Sequence, residues 1–436
     1  MAAATPYMTS TDLIEAVKRK ISIPISQQTF TVLDILAFAN EEMMISQVPS
    51  VLIYHQEYYV YNVFAPLLSN VNNYPIPDRA VAMRLRDLFY VDQSGNKYEM
   101  SRIQTEDQAY FSRNLGTNQS LHKFYLEGND VVLASQMITN PIGQLRFGIF
   151  IRPNQLVTND RAATVTAFAK TITVDNSTLA AGDTITLTSF NASGIPTYYI
   201  LTAVSAITGP NQFLIDTTSI NTATNLSNAI LSSGASSNVS NGTPSTAVVT
   251  VIYNSLNTTF QSLNSINQPS SGLNVQVGQG VQFNAIPAIW QNPVTLISEP
   301  LFANNTLVDF LQTKAGHKIR AFDILIPAKG ISGLIINFNA GDVPQDLIIN
   351  DYICLANECI IPFLPPDLHN GLAERAAARV LAALGDQIGL QISTQKIQDI
   401  DSRQGNLLDN RVDGSPLKVT GRKSLLRFGK RNTFRF

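Results

Sequence analysis

Residues of the types that carry out chemistry are few in this 436-residue chain and are widely spaced. Adjacent acidic pairs such as Glu41-Glu42 would point to different faces of a helix, so they cannot converge on one substrate atom. The histidines match neither a metal-ligand spacing nor a nucleophile motif, and they are His55, His122, His317 and His369. We therefore expect no enzymatic activity and no bound cofactor or metal.

The two cysteines, Cys354 and Cys359, are too few to complete a tetrahedral zinc site. Their spacing is not that of a zinc knuckle or of a redox pair. The residues around them, Tyr352-Ile353 and Ile360-Ile361, are typical of a buried strand. We predict that both cysteines are buried free thiols.

The overall composition excludes some classes of protein. The formal net charge is only -2, which argues against a chain that binds nucleic acid along its whole length. No apolar run approaches 18 residues, so we expect no membrane span. The first seven residues contain neither a basic nor an apolar region of a secretory signal, so we expect a soluble protein made in a cytoplasm.

One long region is almost free of charge. Charged residues form 14% of the chain, against about 25% in a typical soluble domain, and the deficit lies in one place. From Thr217 to Ser298 there is no Asp, Glu, Lys, Arg or His, and 36 of these 82 residues are Asn, Ser or Thr. Such a composition is found in flexible low-complexity segments. Runs such as Asp183–Leu187 and Ala247–Tyr253, however, are rich in strand formers and are separated by turn residues.

We therefore predict a compact β-rich insert with an uncharged surface over residues 161–300. A short helix is expected from Asn225 to Leu231, and a mobile loop from Gly234 to Pro244. Triplets of the form Asn-x-Ser/Thr in this region follow from its composition and are not expected to be glycosylated.

The rest of the chain predicts an α+β fold. Apolar spacing indicates three helices near the N-terminus, ending at about Lys20, Ser46 and Phe64. A small antiparallel sheet follows, which begins with a hairpin around Gly95, and a short helix is expected near Thr105 to Phe111. The expected architecture is an N-terminal helical bundle with a small antiparallel sheet, an inserted β-rich domain, C-terminal helices and an extended arm. The predicted segments are 1–160, the first part of a core; 161–300, the insert; 301–405, the core resumed; and 406–436, the arm.

A helix is predicted near the C-terminus, where Pro365 and Pro366 favour a helix start. The run that follows is rich in alanine, and Gly385 is expected to end the helix. Small side chains allow another backbone to approach closely, so the helix is expected to pack tightly. A second helix is predicted from Leu390 to Ile400. Residues at helical spacing along the first of these helices include Leu372, Ala376, Arg379, Val380 and Ala383.

The chain ends in a basic arm. From Gly414 onward there are seven basic residues and no acidic one, and large apolar residues are interleaved with them. A solvated tail is one interpretation. A solubilising tail has no use for the phenylalanines, so we interpret the segment as an arm that becomes ordered on another protein. The residues predicted to make this contact are Arg411, Lys418, Arg422, Lys423, Leu425, Leu426, Arg427, Phe428, Lys430, Arg431, Phe434, Arg435 and Phe436.

A succession of short segments in both ends of the chain matches the pattern of one known family. The segments are Ala39-Asn40-Glu41-Glu42 through Pro49-Ser50-Val51-Leu52, Tyr74-Pro75-Ile76-Pro77-Asp78-Arg79-Ala80 with Leu85-Arg86-Asp87-Leu88, Phe124-Tyr125-Leu126-Glu127-Gly128-Asn129 with Leu145-Arg146 and Arg152-Pro153-Asn154, Gly316-His317-Lys318, Asp351-Tyr352-Ile353-Cys354, Leu368-His369 with Leu372-Ala373-Glu374-Arg375, and Asp409-Asn410-Arg411-Val412-Asp413-Gly414-Ser415-Pro416. Taken together, they resemble the head-to-tail adaptors of short-tailed double-stranded DNA bacteriophages. The resemblance covers residues 1–160 and 300–436, and the insert departs from it.

The resemblance implies a structural protein in the neck of the virion, assembled in the cytoplasm of the host bacterium. Its implied form is a ring, expected to be a dodecamer, around an axial DNA channel. The C-terminal arm would dock on the portal protein, and a tail nozzle or hub protein would lie on the other side. In such a ring the alanine-rich helix is expected to pack between copies through Leu372, Ala376, Arg379, Val380 and Ala383. DNA must slide through such a channel without sequence-specific binding, and cations that grip phosphates would resist this movement. We therefore expect the basic arm to contact an acidic portal surface.

Two alternatives remain open from the sequence. In the first, the protein is a virion protein whose β-rich insert binds a host glycan or another tail component. In the second, it is an enzyme, for instance one that opens the cell wall. That activity requires a converging pair of carboxylic acids in a cleft, which the charge-free part of the insert cannot supply.

Overall fold

The structure is a computed structural model that confirms the α+β class, with 29% of residues helical and 38% in strands. It forms two compact units, one from residues 1–49 and 151–398, the other from 50–150 and the chain from Asp399 onward. The residues it describes are 8–22, 30–54, 56–104, 123–134, 143–190, 196–235, 238–240, 247–253, 258–276, 278–284, 288–289, 299–300, 302–311, 319–328, 330–332 and 334–408.

The first two helices begin with the same device. Thr9 and Thr31 accept hydrogen bonds from the backbone N–H groups of Asp12 and Asp34, and each aspartate accepts one in return from its threonine's backbone. These reciprocal bonds satisfy donors that a helix start leaves exposed. The first helix therefore begins directly after Thr9. The helices are α1 (Ser10–Lys20), α2 (Val32–Glu42), α3 (Val48–Tyr54), α4 (Ser219–Ser233), α5 (His369–Leu384) and α6 (Gln387–Leu408), with a π-helical turn at Met43–Gln47 and 3-10 turns at Gln56–Tyr59, Asn159–Arg161 and Pro366–Leu368.

The second unit contains two four-stranded sheets around one core. The strand orders are β1-β8-β3-β4 and β2-β7-β6-β5. The predicted hairpin around Gly95 is present as β3 and β4, and the predicted helix near Thr105 lies outside the described residues. The strands are β1 (Val60–Pro66), β2 (Asn73–Pro75), β3 (Ala80–Val91), β4 (Lys97–Glu99), β5 (Ser101–Arg102), β6 (Lys123–Glu127), β7 (Asp130–Leu133) and β8 (Gln144–Ile151).

The predicted third helix, from Pro49 to Phe64, is wrong in its second half. Helix α3 ends at Tyr54, and the chain enters β1 at Val60. Strand β1 pairs antiparallel with β8 over its whole length. Its partly buried side chains, Tyr61, Val63 and Ala65, alternate with exposed ones and pack on the core of this unit. Sheet pairing and this two-residue period decide the conformation here, although the apolar spacing had predicted a helix.

The first unit is built on a ten-stranded antiparallel sheet. Its main path is β22-β21-β25-β10-β18-β24-β23, and β15 and β17 also pair with β10. Its core includes Phe168, Phe283, Phe310 and Phe338. The strands of this unit are β9 (Gln155–Leu156), β10 (Ala162–Val174), β11 (Thr184–Phe190), β12 (Pro196–Val204), β13 (Gln212–Leu214), β14 (Asn238–Ser240), β15 (Val248–Tyr253), β16 (Thr259–Leu263), β17 (Leu273–Val275), β18 (Gln279–Phe283), β19 (Ala288–Ile289), β20 (Glu299–Pro300), β21 (Leu307–Leu311), β22 (Ile319–Leu325), β23 (Ile331–Ser332), β24 (Ile335–Phe338), β25 (Tyr352–Leu355) and β26 (Glu358–Cys359).

The 13-residue strand β10 belongs to two hydrophobic cores. Ala163, Val165 and Phe168 lie in the core of the ten-stranded sheet, whereas Ile172 and Val174 lie in a second core. The second core lies between α4 and the four-stranded sheet β13-β12-β11-β16. Strands β10 and β18 thus join the predicted insert to the predicted resumed core in one sheet.

Most of the elements predicted within the insert are present. The predicted short helix is α4, which is longer at both ends than expected and ends at Gly234 in the left-handed conformation. The predicted loop over 234–244 is wrong at Asn238–Ser240, which forms β14 and pairs with β15. Residues 236–237 and 241–244 of that loop lie outside the described residues.

The C-terminal helices follow the predicted order. Helix α5 ends at Gly385, whose φ of 75° places it in the left-handed region that favours glycine. Asp386 then starts α6 by accepting a hydrogen bond of 2.9 Å from the backbone N–H of Gly389. Cys354 and Cys359 are buried free thiols, as predicted. Burial raises the pKa of Cys359 to about 12 and raises that of Cys354 as well.

Candidate subunit interface

Helix α5 is the centre of the helical part of the first unit. It packs against α1 and α2. Leu372, Ala376 and Val380, three of the residues predicted to pack between copies, are completely buried. The prediction that α5 packs tightly is confirmed, but its neighbours are helices of the same chain. These three side chains are therefore not exposed to a second copy.

The other two predicted ring-packing residues, Arg379 and Ala383, are exposed. The Nε of Arg379 donates a hydrogen bond of 2.6 Å to the nearly buried Glu42, and its Nη2 lies 3.5 Å from Glu41. The hydrogen bond to Glu42 raises the pKa of Arg379. Arg379 therefore joins α5 to α2. Ala383 remains exposed on the surface of α5.

Glu374 of α5 is a buried carboxylate that holds three elements together. Its Oε2 lies 2.7 Å from the Nζ of Lys20 at the end of α1. Its Oε1 accepts a hydrogen bond of 3.0 Å from the Oγ of Ser393 on α6 and lies 3.8 Å from the Nζ of Lys396. Glu374 therefore fixes the first half of α6 to the rest of the helical bundle.

Helix α6 has one side against the bundle and one side in solvent. Ser393 is buried, and Leu390 and Ile397 are partly buried. Ile388 and Ile392, one turn apart, are 75% and 50% exposed. At 100° per residue these two isoleucines lie on the side opposite Ile397. We call Ile388 and Ile392 the α6 stripe.

A second group of exposed apolar side chains lies on α2 and the π-helical turn after it. Leu33 and Ile45 are 68% and 63% exposed, and Ala37, one turn after Leu33, is also exposed. We call these three residues the α2 patch. Neither surface was predicted from the sequence. The i, i+4 spacing of Ile388 and Ile392 was visible, but a helix with apolar residues on two sides does not reveal which side the chain covers.

His369, the one histidine within the described residues, stabilises the start of α5. Its Nδ1 accepts a hydrogen bond of 3.3 Å from the backbone N–H of Met8, and its Nε2 lies 3.1 Å from the carbonyl oxygen of Leu364. Burial lowers the pKa of His369. A neutral ring that accepts at Nδ1 and donates at Nε2 fits these two partners.

The predicted arm residues, Arg411 to Phe436, lie outside the described residues, so their contact with a portal remains a prediction. Within the described ranges, no three His, Cys, Asp or Glu side chains are grouped as metal ligands would be. Among the helices described, none is both long and apolar enough to cross a membrane.

Comparison with known proteins adds no relative. No protein-family model matches the chain, and no curated protein matches it.

Proposed function

We propose that this protein is a structural virion subunit, the head-to-tail adaptor of a short-tailed double-stranded DNA bacteriophage. Copies of the chain form a ring between the portal and the tail, line the channel through which the DNA passes, and join the capsid to the tail. The proposal rests on the ordered sequence resemblance and on one structural observation, the α6 stripe on a helix whose opposite side is already fixed to the bundle.

The α6 stripe suits contact with another protein. Exposed single apolar residues are common on protein surfaces. Two isoleucines one turn apart, however, present a continuous apolar strip on a helix of 22 residues. Burying such side chains contributes about 1.5–3 kcal/mol each.

A second copy of the chain is the occupant that we propose for this surface. The same unit carries the α2 patch, a different apolar surface on a different helix. Contact between two different surfaces of identical chains is heterologous, and repetition of such a contact closes into a ring when the rotation permits it. The α6 stripe of one copy and the α2 patch of the next would form such a contact.

The first test concerns the ring. Particle imaging and native mass measurement of the full chain, mixed with the portal protein of the same virus, should show a ring of many copies on the portal. Changing Ile388→Glu and Ile392→Glu together places two charges in the proposed contact. We expect this variant to lose at least nine-tenths of the ring, because a charge buried without a partner is strongly unfavourable.

The matched control changes Thr394→Glu and Gln398→Glu. These residues have the same spacing on α6 and are also exposed, but they lie outside the stripe. We expect the control variant to assemble normally. Single copies of the unaltered protein bound to the portal, or equal ring formation by the two variants, would contradict the proposed contact.

The second test concerns the basic arm. Replacing Arg422, Lys423, Arg427, Lys430 and Arg431 with Ala should abolish binding to the portal, measured by pull-down, because the charge complementary to an acidic surface is lost. The control replaces only the three arginines with Lys, which keeps the charge, and should retain most of the binding. Normal binding by the Ala variant would refute the proposed role of the arm.

A further inference from the structure

The β-rich insert contains a cavity of about 410 Å³ between the end of α4 and strand β13. One wall is a single face of α4 that includes Asn225, Asn228 and Ser232. These residues are three and four positions apart and therefore point the same way. The opposite wall is the turn from Ile207 to Asn211. The volume lies at the lower end of the range for small-molecule sites.

Both walls are held in place by hydrogen bonds. The side-chain Oε1 of Gln212 accepts bonds of 2.8 Å and 3.0 Å from the backbone N–H groups of Thr208 and Gly209, which fixes the turn. The Nδ2 of Asn225 donates a bond of 3.0 Å to the carbonyl oxygen of Leu214, which fixes α4 to β13. A cavity with fixed walls loses little conformational freedom when a ligand binds.

Two amide side chains at this cavity have no role in holding it together. Asn211 and Asn228 are exposed, and neither side chain makes a hydrogen bond within the described residues. Each amide offers two donor hydrogens and an acceptor oxygen. Asn211 has a φ of 58°, in the left-handed region.

The chemistry of the lining selects against charged ligands. None of the lining residues is ionisable. An anion would find no cation there, and a cation would find no carboxylate, so either would lose water without compensation. Ile207, Pro210 and Ala229 add apolar surface beside the amides. Amides and hydroxyls next to small apolar surfaces match a molecule with hydroxyl groups on a carbon ring.

We propose that this cavity binds a neutral, polyhydroxylated ligand, namely an uncharged sugar residue of an oligosaccharide or glycan. Asn211 and Asn228 are the direct hydrogen-bonding residues, with Ser232 as a further polar neighbour. This binding is independent of the ring contact, because none of its residues belongs to the α6 stripe or the α2 patch.

The experiment uses the full chain, because β10 is shared between the two cores. Saturation-transfer NMR and array binding are measured with a panel of neutral hexose and N-acetylhexosamine oligosaccharides, with free monosaccharides and with sialylated and sulfated counterparts. We expect binding to at least one neutral oligosaccharide. The variants Asn211→Gly and Asn228→Ala should each weaken it about fivefold, the effect of one hydrogen bond, and together by more than tenfold.

The control is Asn267→Gly. Asn267 is also exposed, also has a positive φ, of 59°, and lies in the insert but away from the cavity. Its replacement should leave binding unchanged, and circular dichroism should be the same for all variants. The proposal is overturned if no neutral sugar binds, if only charged sugars bind, or if the double variant binds as well as the unaltered protein.

Discussion

Replacing Asp309 with Ala is expected to lower the free energy of unfolding of the first unit by about 4 kcal/mol. Asp309 is completely buried on β21. Its Oδ2 accepts hydrogen bonds of 2.6 Å from the Nδ2 of Asn154 and 3.1 Å from the backbone N–H of Asn357. Its Oδ1 accepts one of 2.9 Å from the backbone N–H of Asp323. Alanine removes the acceptor of all three bonds at once.

The measurement is urea unfolding followed by circular dichroism, with the variant Asp342→Ala as the control. Asp342 lies in a turn of the same unit and is only partly buried, so its replacement should change the free energy of unfolding by less than about 0.5 kcal/mol. A loss below about 1 kcal/mol for Asp309→Ala would show that this carboxylate does not stabilise the meeting point of β21 with the chain around Asn154 and Asn357.

Replacing Glu374 with Gln is expected to lower the free energy of unfolding by about 3 kcal/mol and to release the first half of α6. The change leaves Lys20, whose side chain is only 22% exposed, without its ionic partner. It also weakens the hydrogen bond from Ser393 and removes the ion pair with Lys396, and both of these contacts join α6 to α5. The substitution should therefore increase the rate of backbone amide hydrogen exchange more in α6 than in α1 or α2.

The matched control is Glu15→Gln. Glu15 forms an ion pair with Arg19 at 2.8 Å, close to the 2.7 Å between Glu374 and Lys20, but the side chains of Glu15 and Arg19 are mostly exposed. Exposed pairs of this kind contribute about 0.3–0.5 kcal/mol, so the control should unfold almost as the unaltered protein does. If Glu374→Gln unfolds at the same urea concentration as this control, the buried cluster does not anchor α6.

Local signals predicted most of the secondary structure. Thr31 and Gly385 mark a helix start and a helix end, because side-chain capping and a left-handed backbone are properties of a few adjacent residues. The hairpin at Gly95 and the strands of the insert were predicted for the same reason. The segment after Tyr54 was misjudged because β8, about 90 residues later, supplies the hydrogen bonds that make it a strand.

The contacts that define the candidate interface were harder to predict. Leu372 and Val380 were expected to pack between copies and are instead buried within the chain. A single sequence does not distinguish a neighbouring helix of the same chain from one of another copy. Similarly, Asn154 and Asp309 are 155 positions apart, and only the pairing of the strands brings them to hydrogen-bond distance. Long-range partners of this kind leave no pattern in a single sequence.

The passage of β10 through two cores limits how this protein can be recombined. Exchanging residues 161–300 as a cassette would replace β10 and β18, which pair with β25 and β24 of the ten-stranded sheet. The donated β10 would have to match β25 of the recipient, and its Ala163 and Val165 would have to pack in the recipient's core. Sequence changes are therefore expected to accumulate in the turns next to β12 and β13, at the rim of the insert. The strands at the boundaries of the segment, β10 and β18, are expected to change little.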